Sequence, residues 1–245
     1  MDINFIMKST KLYIKRVDGK IIPFEYNYFI GISIYKKLLN FQEDIIPLHR
    51  SSQIGIYTFS NIISPFIPRS ELFADNGLNI DKGYIIFRTL NEKLIDYLRL
   101  GILQDNKIRI KDTVFEVSRI EDIKPYNGDA DELKFKSLSP ILVRDYIRKK
   151  IYVNDEQNVA PNLKLVIENQ LSKFFGINSS SVNFSDLTPR KKSIRISSNG
   201  KKESISTGFN LSGTITAQPD ILKLLYYKGL GSKTSLGLGC WEVVK

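Results

Sequence analysis

Two places in this 245-residue chain carry residues whose types and spacing could do chemistry. The first is Gly229-Leu230-Gly231-Ser232-Lys233-Thr234-Ser235-Leu236-Gly237-Leu238-Gly239, two Gly-x-Gly pairs around a polar segment with one lysine. Glycine lets a backbone take positive φ and come close to another backbone. Uncovered amides beside a lysine make a seat for phosphate oxygens. The same residues also read as a plain glycine-rich turn before a last strand. The second place is His49, the single histidine and the one side chain whose ordinary pKa lies near neutrality. A lone histidine has an incidental loop reading as well as a proton-transfer one.

Several chemistries are excluded. A Walker A loop needs Gly before its Lys and a helix after it. Here Ser232 precedes Lys233, and Leu236 to Val244 reads as a strand. A dinucleotide fingerprint needs a third glycine where Thr234 stands, and again a following helix. Asp129, Asp131 and Glu132 cluster in a turn-rich stretch and read as a solvated turn, not as a two-metal site. One histidine and one cysteine cannot build a structural zinc site. No metal and no cofactor are expected.

Charge points to the partner. Lys and Arg number 36 against 26 Asp and Glu, a formal net charge of +10, which calls for a polyanion or an anionic membrane. The second half holds three basic runs: Arg144, Arg148, Lys149 and Lys150; then Arg190, Lys191, Lys192 and Arg195; then Lys201 and Lys202. Three runs of one sign predict a phosphate-tracking surface, with Arg190–Lys202 as a gripping hairpin. Lys228 and Lys233 bracket the glycine-rich segment and are expected to add to it. No aromatic signature of a base-stacking sheet is recognisable, so backbone and shape recognition is expected. No apolar run approaches a membrane span, the N-terminus does not read as a signal peptide, and one cysteine cannot form an internal disulfide. These features predict a cytoplasmic protein.

The elements that must position these residues follow from periodicity. A strand opens the chain over about residues 4–16, and a helix over 25–39 carries Ile30, Ile34 and Leu38 at helical spacing, with Tyr28, Ile32 and Tyr35 on the adjoining face. Strands are expected at 54–60 and 83–90. A second helix is capped by Asn91 and stopped by Gly101, and one alternating strand spans 107–120. Strand, helix, strand, strand, helix, strand is the ferredoxin-like order. Residues 125–129 form the linker. The pattern then recurs: a strand at 133–143, a helix from Pro161 to Gly176, strands at 193–197 and 205–217, a helix from Pro219, and a last strand. The fold class is therefore α+β, two tandem ferredoxin-like (RRM-like) βαββαβ domains, 1–126 and 127–245, with a C-terminal glycine-rich loop.

The run Gly-Leu-Gly-x-Lys-x-Ser-Leu-Gly-x-Gly followed by Cys240-Trp241-Glu242-Val243-Val244 resembles the signature loop of the CRISPR repeat-processing endoribonucleases of the RAMP superfamily. Residues 23–35 are similar to that family's first helix, and Ser137-Leu138-Ser139-Pro140-Ile141 to the segment opening its second domain. The resemblance spans the whole chain. It implies two tandem ferredoxin-like domains and metal-independent RNA cleavage, in which a 2′-OH attacks the adjacent phosphate and leaves 2′,3′-cyclic phosphate and 5′-OH ends.

By the same resemblance His49 and Tyr35 are the catalytic pair; the uncovered amides of Gly229, Gly231, Gly237 and Gly239, with Lys228 and Lys233, are expected to contact RNA. Relatives with a Tyr–His–Lys set carry a lysine shortly after the histidine. Residues 51–56 have none, so Lys36, Lys37 or Arg50 is left to face the phosphate. The implied partner is CRISPR repeat RNA, with other effector subunits or a second copy of the chain (a homodimer) as further partners. A RAMP subunit that grips RNA without cutting is the alternative reading.

Overall fold

Alternation and register build the first sheet. The computed structural model describes residues 6–39, 55–65, 67–178, 181–198 and 201–244. Strand β1 (Lys8–Asp18) buries Leu12 and Ile14 and turns Lys11 and Lys15 the other way. It lies at the centre of the sheet, antiparallel to β5 (Lys82–Thr89) on one side and β7 (Thr113–Asp122) on the other. Leu12 thereby faces Ile85 and Ile120. Strand β2 (Tyr57–Phe59) pairs with the far edge of β5, and β6 (Lys107–Ile110) with β7.

Two helices cover this sheet. Helix α1 (Asn27–Leu39) buries Ile30, Ile34 and Leu38 completely, as its spacing predicts. A single turn, α2 (Arg69–Leu72), and the two-residue strands β3 (Phe73–Ala74) and β4 (Gly77–Leu78) form a small excursion without a clear periodic signal. Helix α3 (Lys93–Gln104) buries Leu94, Ile95 and Leu98.

The second half repeats the plan with β8 (Glu132–Ser137), α4 (Val159–Phe175), β9 (Asn183–Ser198), β10 (Lys201–Thr216), α5 (Pro219–Lys228) and β11 (Trp241–Val243). The sheet orders are β2-β5-β1-β7-β6 and β11-β8-β10-β9. Setting aside the edge strand β6, each places its fourth, first, third and second strands side by side. The fold is α+β with two tandem ferredoxin-like units. Separate cores form around Ile34, Phe59, Phe87 and Phe115, and around Phe135, Ile167, Leu222 and Trp241.

Three expectations are corrected. Gly101 does not stop α3, which runs on to Gln104; the glycine is where α3 crosses α1, and a Cβ there would stand 2.5 Å from the main-chain oxygen of Lys37. The strand expected over 107–120 is a hairpin, turning at Lys111 with φ 52°, and its second arm buries Thr113, Phe115 and Val117. The strands expected at 193–197 and 205–217 belong to a long hairpin whose two arms are 16 residues each. Its early arm has no apolar alternation because β9 is a sheet edge, where Pro189 is tolerated opposite Leu211.

Alanine at Gly101 gains about 1 kcal/mol of helix propensity but overpacks the α1–α3 crossing by on the order of 1–3 kcal/mol. Gly101→Ala is therefore expected to lower the denaturation midpoint without changing the denaturant slope.

Candidate functional site

The glycine-rich segment runs between the two sheets, and its glycines are spent on close approach. Gly237 (φ 74°) lies flat on the Phe59 ring of β2, where a Cβ would enter the ring. Gly239 (φ 76°) lies against the Leu230 main chain in the same way. Main-chain bonds lock the segment: Leu230 N–H to Gly239 O at 2.8 Å, Ser232 N–H to Leu142 O at 2.8 Å and Gly239 N–H to Pro140 O at 2.8 Å. From the first half, Asn27 Nδ2 donates to Gly237 O at 3.0 Å and Thr58 Oγ1 to Leu238 O at 2.9 Å. From α4, Gln170 Nε2 donates to Gly231 O at 3.0 Å.

The expected phosphate seat is thus corrected at three glycines. The amides of Gly229, Gly237 and Gly239 donate to Leu225, Thr234 and Pro140, and Gly229, Gly231, Gly237 and Gly239 are all buried. Lys233 is exposed with φ 55° and leads the short 3-10 turn Thr234–Leu236. That turn packs on α1, with the Leu236 main chain 3.4 Å from where a Cβ of Gly31 would be.

Helix α1 therefore touches the segment along Asn27 and Gly31. Tyr35, four residues further, continues that stripe and is half-buried. It adjoins Tyr57 of β2, whose hydroxyl is pushed well above the ordinary tyrosine range by burial, with Tyr35 adding to the shift. His49 and Arg50 lie outside the described residues. Gly55, which follows that stretch, accepts a 3.4 Å hydrogen bond from Thr234 Oγ1.

The two lysines after Tyr35 diverge. Lys36 is exposed. Lys37 is buried, donates to the main-chain oxygen of Asp105 and has its carboxylate at 3.6 Å. Burial lowers the Lys37 ammonium pKa and Asp105 opposes the shift. Lys37 is committed to the α1–α3 contact, which corrects its expected role at a phosphate.

The basic residues sort by surroundings. Arg190 and Lys191 are exposed on β9, while Lys192 and Arg195 cross back to the first half, 5.3 Å from the Phe24 ring and 5.7 Å from the Phe29 ring. Ile194 and Ile196 on the same strand pack with Leu142 and Leu238. Lys201 and Lys202 stand in β10, with side chains outside the described residues. Arg144, Lys149 and Lys150 are exposed. Arg148 is half-buried and ion-paired with Asp145 at 2.7 Å and with Asp155, so it shapes the 145–155 loop instead of offering a free cation. Lys228, expected on the surface, is fully buried with Nζ 3.0 Å from Gly229 O. That burial pulls its pKa down to about 7.

Sequence reasoning missed Arg88. It is 2% exposed on β5, donates to Trp241 O across the inter-sheet boundary and lies 3.7 Å from the Tyr226 ring. An arginine amid an apolar strand run (Tyr84-Ile85-Ile86-Phe87-Arg88) was the available signal. Asn27 and Thr58 carried none, being ordinary polar residues until the glycine-rich carbonyls meet them.

Comparison with known proteins decides the family. The description "CRISPR-associated protein Cas6, N-terminal" matches residues 21–121, and "CRISPR associated protein Cas6, C-terminal" matches residues 123–243. The chain belongs to the Cas6 family. An endoribonuclease-like Cas6 protein of Pyrococcus furiosus is 27% identical, over 93% of this chain and 95% of the relative. A CRISPR-associated endoribonuclease Cas6 of Methanocaldococcus jannaschii is 25% identical, over 89% of this chain and 86% of the relative. A solved structure described as CRISPR associated protein Cas6 superposes with a TM-score of 0.76 at 20% identity, over 98% of this chain and 100% of that one, which shows the shared fold.

Within this Cas6 chain, two measurements check the boundary region. Gly237→Ala is expected to cost on the order of 3 kcal/mol, because it combines a positive φ with a ring in the way; thermal unfolding reads it. Lys228 has a folded pKa of about 7 against 10.5 for the free side chain. Protonation then favours the unfolded chain, so this group costs most at and below pH 7 and progressively less as pH rises to about 10. Lys228→Met is expected to be more stable than wild type at pH 7, with the advantage shrinking towards pH 10.

Proposed function

We propose that this protein is a metal-independent endoribonuclease that cuts CRISPR precursor RNA within its repeats, leaving 2′,3′-cyclic phosphate and 5′-OH ends. The observation that carries the reading is the seating of Asn27 and Gly31 of α1 on the glycine-rich segment. Tyr35 follows Gly31 on the same helix stripe, which supports a reading in which its phenol works near this segment. The homologues' endoribonuclease names support an RNA-cutting enzyme. The division of labour would follow the two units, 1–126 bringing acid/base groups and 127–245 the grip.

The chemistry needs a base for the 2′-OH proton, an acid for the leaving 5′-oxygen and positive charge at the phosphorane. Each of the first two is worth roughly 10²–10⁴-fold. His49 supplies proton transfer at neutral pH. Tyr35 donates a hydrogen bond to the charged phosphate oxygens. With Lys37 turned to Asp105 and Lys36 exposed at the other side of α1, Arg50 and Lys233 are left to hold the charge.

A second reading has its own observation. Burial of Lys37 removes a cation from the reaction side of α1, which suits a RAMP subunit that binds RNA without cutting. Incubation with repeat RNA in EDTA separates the two. Cleavage by wild type is expected, with a loss of at least about 100-fold in His49→Ala and a smaller loss in Tyr35→Phe. A 2′-deoxy substitution at the cut position should abolish the reaction. Tight repeat binding without any cleavage would select the non-cutting reading, and equal cleavage by His49→Ala would remove His49 from the mechanism.

A further inference from the structure

The side of α1 opposite the glycine-rich segment is also concave and cationic. Residues 31 and 33 stand roughly 200° apart around a helix, so Ser33 and Lys37 face β6 and α3 while Gly31 faces the segment. Between α1, α3 and β6 lies a cleft of about 200 Å³. Phe29 and Ile32 form an apolar wall, and Lys36, Lys107 and Arg109 stand around its mouth.

The cleft is built, not incidental. Gly101 lets the helices close on its floor, where Lys37 meets Asp105. Ser33 Oγ accepts from Arg109 N–H at 3.1 Å and fixes β6 against α1. Asp105, the single carboxylate of the lining, is engaged by Lys37 and by Arg109 at 3.0 Å. Lys36 and Lys107 have no carboxylate partner among the described residues. Four cations against one carboxylate leave the mouth strongly positive.

We propose that this cleft is a second RNA subsite. It takes one nucleotide of a single-stranded stretch away from the scissile phosphate, with phosphate oxygens on Lys36 and Lys107 and the base against Phe29 and Ile32. The proposal rests on the RNA reading above. Continuity favours RNA over an acidic peptide: Arg195 of the hairpin lies over Phe29, which is itself part of the cleft wall, and Lys192 lies over Phe24. A strand held by the hairpin therefore reaches the cleft without leaving cationic surface. An apolar wall beside spare lysines suits a base joined to its phosphate.

The test compares wild type, Lys107→Glu and the control Lys93→Glu, an exposed lysine at the start of α3 outside the cleft. Each is titrated over a range of salt with full repeat RNA and with a short RNA spanning only the cut position. Lys107→Glu should weaken the full repeat about tenfold and flatten its salt dependence by about one unit of slope. The short RNA should bind unchanged, and Lys93→Glu should behave as wild type. Independently, repeat RNA carrying 4-thiouridine should photocross-link to the peptide containing Phe29 and Ile32 in the wild-type protein. Unaltered affinity and slope in Lys107→Glu, equal weakening of both RNAs, or equal weakening by Lys93→Glu would overturn the subsite, as would cross-links confined to other peptides. Wild-type protein that binds neither RNA would instead remove the RNA reading on which the subsite depends.

Discussion

The structure depends on a backbone threading between two sheets where no side chain fits. Gly237 lies on Phe59 and Gly239 on the Leu230 main chain. That closeness lets Asn27 and Thr58 from one half bond to carbonyls of the other. Buried carbonyls need donors, and here the donors come from across the boundary. The glycines thus do two things with one property: they permit positive φ, and they bring α1, β2, the 138–142 segment and α4 onto a single strip of chain.

Helix α1 is the element on which this organisation turns. One face fills the first core, one rests on the glycine-rich strip, and one closes a cationic cleft with α3 and β6. Adjacent residues then serve different purposes, because successive side chains point roughly 100° apart. Tyr35, Lys36 and Lys37 are neighbours in sequence. They end respectively beside Tyr57, in solvent at the cleft and in a buried contact with Asp105.

Positive charge is divided between recognition and architecture. Arg190, Lys191 and Lys233 stay in solvent, where a polyanion could reach them. Arg88 and Lys228 are withdrawn into the boundary, where Arg88 meets Trp241 O and the Tyr226 ring and Lys228 meets Gly229 O. Burying a cation without a carboxylate costs stability, and the lowered pKa of Lys228 is the direct sign of that cost. A +10 chain therefore overstates its own cationic surface.

What the sequence determined by itself is the tandem βαββαβ order, the buried stripes of α1 and α3, and the special nature of residues 229–239. These follow from local periodicity and from glycine's lack of a Cβ, both properties of short stretches of chain. Tertiary structure alone decided which glycine amides are already engaged, that Lys37 and Lys228 are buried, that Gly101 is a crossing point instead of a stop, and that Arg195 reaches Phe29. Each of those outcomes depends on residues that are far apart in the chain and adjacent only in the fold. Periodicity says which side of a helix is apolar, but only packing says what the polar sides meet.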